Sequence, residues 1–204
     1  YIENLIRYYM IVSGINSIHI CVDGVPTMAK IYEQKKRRYM GDLLSNLAQH
    51  SNSFTWSRNN ISPGTDFMKD MINALNSEEY IKRIKNICIN IKEYNVSGIL
   101  IEGEGEFKIV KIIDTIISNN NNNNIIVYSP DSDVILLLLL SAIKNPTFKI
   151  TMLRFDQMNS KKDNMIYDVI NINHFQNILI DYIKTKDSLH HALHDIKHDH
   201  NLIA

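Results

Sequence analysis

The sequence has no net charge, only two cysteines and no apolar run long enough to cross a membrane. Its 22 basic residues balance 22 acidic residues, so any attraction to phosphate must come from a local cluster of charge. Cys21 and Cys88 lie in apolar surroundings, which favours buried thiols in a reducing compartment. No signal peptide is visible, and we expect an intracellular protein of the cytoplasm or nucleus. The longest apolar stretch, residues 134–140, predicts a buried helix start, so no membrane partner is expected.

Short apolar runs alternate with helical patterns along the chain. The predicted strands cover residues 17–22, 98–101, 125–128, 148–153 and 167–170. The predicted helices cover residues 3–13, 28–47, 66–75, 77–94, 105–118 and 132–143, and a later helix capped by Asn173. This alternation predicts an α/β protein with a mainly parallel sheet flanked by helices. No repeat and no clear second domain is visible, so we expect one domain over residues 1–204.

Two stretches between these elements predict loops. Residues 50–62 are polar and irregular. Residues 119–124 are an uninterrupted asparagine run, which cannot bury apolar surface and predicts a flexible loop insertion. The chain begins with Tyr1 inside a helical pattern, and we expect the natural polypeptide to extend further toward its N-terminus.

A basic helix face follows the first predicted strand. It is spaced at i, i+4, i+7 and i+8, within about 100° of arc, and consists of Lys30, Gln34, Arg37 and Arg38. Arginines can fork onto phosphate oxygens, a lysine adds a point charge, and a glutamine amide can donate a hydrogen bond. A helix N-terminus also favours an anion. The pattern indicates a site for a terminal phosphate; a solvated helix face is the alternative.

Acidic residues follow three of the predicted strands. Asp23 opens the segment DGVPTMAKIYEQKKRRY, Glu104 and Glu106 lie in EGEGEFK, and Asp131 and Asp133 lie in SPDSDVI. Ligands of open parallel sheets bind beyond the carboxyl ends of the strands, so we expect all five carboxylates at one edge. Capping of helix N-termini is the alternative explanation for any single acidic pair.

Five carboxylates at one edge would repel each other, and a hard divalent cation relieves that repulsion. We therefore predict a metal site for Mg²⁺, with Mn²⁺ as a substitute. Two ions about 4 Å apart could hold both the attacking and the leaving oxygen of a phosphodiester. Metal and a phosphate-binding face together indicate a nuclease.

Four segments resemble the signature of the XRN family of 5′→3′ exoribonucleases, in the family's order. They are DGVPTMAKIYEQKKRRY, ISPGTDFM, GEGEFKI and SPDSDVILL. The resemblance implies a sheet of the 5′-nuclease (PIN/FEN-like) type, and single-stranded RNA with a 5′-monophosphate as substrate. It also implies that the five carboxylates bind the catalytic metal ions. The basic face, from Lys30 to Arg38, would hold the 5′-monophosphate. ISPGTDFM resembles a structural turn entering a helix, with no catalytic role.

The chain departs from the family pattern at several places. Phe107 stands where the family usually has His, and Glu102 adds an acid. The family's acidic residue from an earlier strand, and its Gly-Asn-Asp-Phe-type motif, have no counterpart in these 204 residues. A non-catalytic fragment or pseudo-enzyme that binds RNA 5′ ends is therefore a second hypothesis. A DNA-directed flap-type 5′ nuclease is a third. Trp56, the only tryptophan, could stack on a base.

Overall fold

The structure is a computed structural model that describes residues 2–10, 14–48, 56–119, 124–156, 158–160 and 166–199. For residues 8–10, 46, 48 and 187–199 it describes the backbone alone. The chain divides into two compact units, Tyr1–Ile109 and Val110–Ala204. The single domain over residues 1–204 stays a prediction. No helix in the described ranges has the length and apolar content that a membrane span needs.

The first unit contains two parallel strands and five helices within the described ranges, the last of which continues beyond the unit. The elements are α1 Ile2–Met10, β1 Ser17–Cys21, α2 Met28–Ala48, a 3₁₀ turn Arg58–Ile61, α3 Asp66–Leu75, α4 Glu78–Ile87, β2 Glu93–Ser97 and α5 Gly105–Ser118. Ser17 pairs with Glu93 and Cys21 with Ser97, so both strands end at the same level. The carboxyl ends of β1 and β2 therefore deliver the following loops to one edge.

Apolar side chains of α1, α4 and both strands pack into one cluster in this unit. Ile6, Ile84 and Cys88 are buried at its centre, and Ile18 and Tyr94 pack against them from the strands. The Tyr94 hydroxyl donates to the carbonyl of Leu75 at 2.9 Å. Burial raises the pKa of Tyr94 to about 12. Burial also raises the pKa of the Cys88 thiol, as expected for a buried thiol.

The second predicted strand was placed wrongly. Residues 98–101 form a turn, in which Leu100 is 97% exposed, and the strand is Glu93–Ser97. The helix predicted to Tyr94 therefore ends at Ile87. Tyr94 and Val96 turn inward while Glu93 and Asn95 are exposed, and this alternation is typical of a half-buried strand.

Helix starts in this unit follow their capping residues. The Thr65 hydroxyl accepts from the backbone N–H of Met68, and the Ser77 hydroxyl accepts from that of Tyr80. Both bonds satisfy donors that a helix leaves unpaired at its first turn. The predicted starts of α3 and α4 are thus confirmed. The predicted loop over residues 50–62 contains the 3₁₀ turn Arg58–Ile61, and its residues 50–55 lie outside the described part.

In its described ranges, the second unit contains three strands, two complete helices and the end of α5. Its elements are β3 Asn124–Tyr128, α6 Asp133–Lys144, β4 Lys149–Phe155, β5 Tyr167–Asn171 and α7 Ile172–Asp199. The strand order is β3-β4-β5, with β3 and β4 parallel and β5 antiparallel to β4. In the predicted asparagine loop, Asn124 already belongs to β3, and residues 120–123 lie outside the described part.

The apolar run 134–140 forms the first turns of α6, as predicted, but only one side of it is buried. Val134, Leu138 and Leu139 are buried, whereas Leu136 and Leu140 are exposed. Because a helix turns through 3.6 residues, a continuous apolar run covers its whole circumference, and one packed side leaves the other exposed.

The sequence predicted that Asn173 caps α7, and this prediction is wrong. The capping residue is Asn171. The Asn171 side chain accepts from the backbone N–H of His174 at 3.0 Å. Asn173 lies inside the helix and bonds to β4: its Oδ1 accepts from the N–H of Ile150 and its Nδ2 donates to the carbonyl of Phe148, both at 2.9 Å. Asn173 thereby joins the start of α7 to the start of β4.

Replacing Asn173 by leucine should destabilise the second unit by about 2–3 kcal/mol, because two buried backbone groups lose their partners. Urea unfolding, followed by hydrogen exchange of the β4 amides, measures the loss. Asn177→Leu is the matched control, since Asn177 is exposed on the same helix. An Asn173→Leu variant as stable as this control would contradict the assigned role.

The predicted fold class is confirmed at the level of an α/β protein whose strand pairs are mainly parallel. Two of the three strand pairs in the described ranges are parallel. The 5′-nuclease type of the sheet stays a prediction.

Candidate active site

The loop after β1 is joined to the loop before α5. Asp23 follows β1 by two residues, and its Oδ1 accepts from the backbone N–H of Gly105 at 2.6 Å. Gly24 donates to the carbonyl of Gly103 at 2.9 Å, and Gly103 donates to that of Val25 at 3.1 Å. Gly103 has a φ of 95°, a conformation that glycine adopts without strain. The loops that carry the first and second acidic motifs therefore meet directly.

Lys108 holds the same two loops together from below the surface. This lysine of α5 is only 4% exposed, and its ammonium donates to the carbonyls of Val22 at 2.7 Å and Gly98 at 2.9 Å. Burial lowers the pKa of Lys108, while Cys21 and Asp23 oppose that shift. A side chain on Gly24 would overlap the carbonyl of Ile101 and crowd the ammonium, so only glycine fits there. The sequence analysis did not identify Lys108.

Glu104 is a largely enclosed carboxylate of the candidate site. Its side chain is 17% exposed, and its Oε1 lies 3.7 Å from the Lys30 ammonium. That oxygen makes no hydrogen bond with any described residue. Glu106 lies in the first turn of α5 and is partly buried. A buried acceptor without a hydrogen-bond donor is unfavourable unless a cation or a donor satisfies it.

The carboxylates of the two loops are chemically suited to bind a hard divalent cation. Carboxylate oxygens are the ligands that Mg²⁺ prefers, and Glu104 Oε1 is an acceptor that such an ion could satisfy. Within the described part of the chain, however, no group of three or more His, Cys, Asp or Glu side chains is arranged to hold a metal ion. The Mg²⁺ site of the five carboxylates, Asp23, Glu104, Glu106, Asp131 and Asp133, therefore stays a prediction.

The third acidic motif lies in the second unit, between β3 and α6. The hydroxyl of the buried Ser129 accepts from the N–H of Asp131 at 3.2 Å. Asp131 Oδ1 in turn accepts from the N–H of Asp133 at 3.1 Å. One Asp131 oxygen thus accepts a hydrogen bond from the first residue of α6. Stabilisation of a helix N-terminus is the alternative role that the sequence left open for a single acidic pair. Both carboxylates are nevertheless exposed.

Arg154 supports this acidic turn from β4. Its Nη1 donates to the Ser132 hydroxyl at 3.1 Å, and its Nη2 donates to Asp168 Oδ2 at 3.2 Å. The side chain joins the turn between Asp131 and Asp133 to β5. Sequence reasoning missed Arg154, because nothing in the local pattern marks an arginine within a strand as a partner of a distant turn.

The predicted phosphate face forms a stripe along α2. Lys30, Gln34 and Arg38 are four residues apart and lie on one side of the helix. Gln34 is buried, Arg37 is exposed, and Arg38 is half-buried. Arg38 Nη1 donates to the Ser62 hydroxyl at 2.6 Å. The stripe begins beside Glu104, because Lys30 is its first residue.

The structure thus brings together part of the predicted site. Asp23, Lys30 and Glu104 lie around the same two loops of the first unit, and Gln34 and Arg38 continue the stripe from Lys30. Asp131 and Asp133 lie together in the second unit. The prediction that ISPGTDFM is a turn entering a helix is confirmed. The sequence did not identify Ser62 of this segment as the residue that accepts a hydrogen bond from Arg38.

Comparisons with known proteins agree on one family. Residues 1–156 match the family described as XRN 5′-3′ exonuclease N-terminus. A protein of Acanthamoeba polyphaga mimivirus, named as a putative 5′-3′ exonuclease, is 40% identical over 133 residues, which are 65% of this chain. The match covers 20% of that relative, so the chain spans about a fifth of its length. The family match extends over most of the chain and includes all three acidic motifs and the basic stripe; the chain therefore belongs to the XRN 5′-3′ exonuclease N-terminal family.

Proposed function

We propose that this chain is catalytic machinery of a metal-dependent 5′→3′ exoribonuclease. Its substrate is single-stranded RNA with a 5′-monophosphate, and its products are nucleoside 5′-monophosphates. Membership in the XRN 5′-3′ exonuclease family supports the 5′-3′ exonuclease part of this proposal. The RNA substrate, the phosphate requirement and an intracellular location in cytoplasm or nucleus are inferred from the residues and from the resemblance.

One observation carries the proposal: the cationic stripe of α2 begins at the enclosed carboxylate Glu104. Lys30 Nζ lies 3.7 Å from Glu104 Oε1, and Gln34 and Arg38 extend the stripe away from it. Eight residues of helix separate Lys30 from Arg38, which is about 12 Å along the axis. A terminal phosphate bound on this stripe would hold the first phosphodiester close to the carboxylates.

The stripe would select the end of the RNA. Lys30 supplies a point charge, the Gln34 amide donates a hydrogen bond, and the two arginines donate to phosphate oxygens, with exposed Arg37 forking freely. A 5′-hydroxyl end lacks the dianion that these groups bind. A capped or triphosphate end adds groups beyond the phosphate and should fit poorly. Directionality follows because one end of the strand alone carries this phosphate.

The proposed metal ligands are the acidic residues of the three motifs. They are Asp23, Glu104, Glu106, Asp131 and Asp133. Bound Mg²⁺, or Mn²⁺ in its place, would stabilise the charge that develops on phosphodiester oxygens; two ions are proposed. The chain itself orients this set: Gly105 fixes one Asp23 oxygen, Lys108 fixes the backbone before Asp23, and Ser129 fixes the Asp131 turn.

Replacing Arg37 and Arg38 by glutamine should lower kcat/KM for 5′-monophosphorylated RNA about a hundredfold. Each charge-assisted hydrogen bond to phosphate is worth about 1.5–3 kcal/mol, part of which glutamine retains. The rate on 5′-hydroxyl RNA should change little. Hydrolysis of both RNAs in Mg²⁺ measures the ratio. Lys35→Gln/Lys36→Gln removes the same charge from neighbouring exposed positions of α2 and should change the ratio less than threefold.

Other outcomes of this assay separate the hypotheses. Equal decay of 5′-phosphorylated and 5′-hydroxyl RNA by the unmodified chain would overturn the phosphate requirement. Binding of 5′-phosphorylated RNA that depends on both arginines, without product at any Mg²⁺ concentration, would assign the chain to a non-catalytic end-binding role. Faster cleavage of flapped DNA than of RNA would assign it to the DNA-directed class.

A further inference from the structure

An exposed aromatic pair lies beside the turn that contacts Arg38. The rings of Trp56 and Phe67 meet edge to face, with centroids 5.3 Å apart and an interplanar angle of 70°. Trp56 is 48% exposed and Phe67 is 45% exposed, so much of both rings faces water. We call these two residues the aromatic pair. Two large rings that contact each other yet stay half in solvent offer an apolar surface of defined shape.

Hydrogen bonds hold the residues around the aromatic pair in place. Asp42 of α2 accepts from the Ser57 hydroxyl at 2.6 Å and from the backbone N–H of Arg58 at 3.0 Å. These bonds lower the pKa of the Asp42 carboxyl. Phe67 lies in the first turn of α3, which Thr65 caps. The aromatic pair is therefore anchored to α2 on one side and to α3 on the other.

Two arginines, Arg38 of α2 and Arg58 of the 3₁₀ turn, lie in the same region as the aromatic pair. Asp42 follows Arg38 by four residues, so the segment that carries Trp56 docks on the continuation of the Lys30–Gln34–Arg38 stripe. Arg38 contacts Ser62 at the other end of that segment. The Arg58 side chain packs over Gly41, where an added Cβ would lie 2.7 Å from its Nη1. The aromatic pair, Arg38 and Arg58 therefore belong to one region of the first unit, formed by α2 and the segment that docks on it.

We propose that the aromatic pair is a stacking surface for an unpaired nucleobase, and that Arg58 binds a phosphate of the same strand. The proposal rests on the proposed function and deepens it, because it extends the substrate contact beyond the terminal phosphate. Every base has a π-face, so stacking accepts any sequence but requires a single strand. Cations around the rings attract the phosphates on either side of the stacked base.

The charges argue against a second copy of this chain as the occupant. Two copies that met through this surface would bring Arg38 and Arg58 of each copy toward the same residues of the other. Like charges placed opposite each other in an interface cost free energy and disfavour that pairing. A polyanion with flat apolar groups complements the surface in both respects.

Trp56 provides a direct test, because it is the only tryptophan of the chain. A 5′-phosphorylated oligouridylate is titrated into the full chain carrying Asp131→Asn/Asp133→Asn, so that the RNA persists. The tryptophan emission should fall as the RNA binds. An oligonucleotide of equal length and charge in which every nucleotide is abasic should leave the emission unchanged, since it has phosphates but no bases.

Variants convert this signal into affinity, measured with a fluorescently labelled RNA. Trp56→Leu should weaken binding about tenfold, the range of one stacked base, and Trp56→Phe should restore most of it. Tyr182→Leu is the matched control, since Tyr182 is an exposed aromatic residue of the second unit. Arg58→Gln should weaken binding and reduce its salt dependence.

Three outcomes would overturn the inference. They are equal quenching by the abasic strand, wild-type affinity of Trp56→Leu, and an emission change that follows protein concentration rather than RNA. Failure of this inference and failure of the proposed function give different results. Normal, phosphate-dependent hydrolysis without any response of Trp56 would remove the stacking site alone. Base-dependent quenching in a chain that never cleaves RNA would retain the site and remove the enzyme.

Discussion

Replacing Asp131 and Asp133 by asparagine should lower hydrolysis of 5′-phosphorylated RNA at least about a thousandfold while the fold persists. Loss of one group that stabilises transition-state charge costs about 10²–10³ in rate, and two proposed metal ligands are removed here. The side-chain oxygen of asparagine can still accept from the N–H of residue 133, as Asp131 Oδ1 does at 3.1 Å. The start of α6 therefore keeps this hydrogen bond and loses only charge.

Stability separates a catalytic role of these aspartates from a structural one. Removing neighbouring negative charges should leave the melting temperature in EDTA unchanged or slightly raised, because like charges repel. Addition of Mg²⁺ should raise the melting temperature of the unmodified chain more than that of the variant, since an ion that binds the folded state stabilises it. Asp114→Asn on α5 is the control, because Asp114 is exposed. A variant that retains a tenth of the activity would contradict the assignment.

Replacing Lys108 by methionine should destabilise the first unit by about 1–3 kcal/mol. The ammonium donates to the carbonyls of Val22 at 2.7 Å and Gly98 at 2.9 Å, and the Gly98 carbonyl also accepts from the backbone N–H of Ile101 at 3.2 Å. Methionine therefore leaves the Val22 carbonyl without its side-chain donor, and an unpaired buried acceptor costs about 1–3 kcal/mol. Hydrogen exchange of the β1 and β2 amides measures the change in the unit concerned. Lys111→Met, one turn later and exposed, should change stability by less than about 0.5 kcal/mol.

The Lys108 substitution should also weaken Mg²⁺ binding, which a purely remote packing defect would not do selectively. Lys108 fixes the carbonyl of Val22, the residue before Asp23, and Gly105 fixes the Asp23 side chain. Calorimetric titration with Mg²⁺, at a temperature where the variant is still folded, tests this. Wild-type Mg²⁺ affinity in a folded Lys108→Met chain would show that Lys108 supports the fold without positioning Asp23.

Local signals predicted most helices well. Thr65 and Ser77 precede α3 and α4 because a hydroxyl at that position satisfies a backbone donor two or three residues later. The bounds of α5, Gly105–Ser118, agree with the prediction. Such starts depend on neighbouring residues only, so a sequence pattern contains the information.

Tertiary contacts explain the errors. Glu93 and Tyr94 looked like the end of a helix, but pairing with β1 makes them the start of a strand. The apolar GILI that follows is a turn, in which Ile99 is buried and Leu100 is exposed. Asn173 looked like a cap, yet the start of β4 takes its side chain and Asn171 serves the helix. In both cases a distant partner overrides local propensity, and the partner is not adjacent in the sequence.

The sequence predicted the charged residues of the candidate site more fully than the residues that hold them in place. The carboxylates and the basic stripe lie in motifs with a recognisable spacing, so Asp23, Glu104 and Lys30 could be identified together. Lys108, Ser62 and Arg154 could not, because their partners are backbone carbonyls or hydroxyls far along the chain. Supporting contacts of this kind have no spacing of their own.

The parallel pairing of β1 with β2 has a consequence for synthesis of the protein. The hydrogen bond between Asp23 and Gly105 joins residues 82 positions apart, and the bond from Lys108 to Val22 spans 86 positions. A ribosome adds about 5–20 residues each second, so β1 is completed several seconds before its partner strand exists. During that interval the basic helix is already made but its acidic counterpart is not. The nascent chain would therefore present cations to nearby RNA before it contains the second and third acidic motifs proposed to cut it.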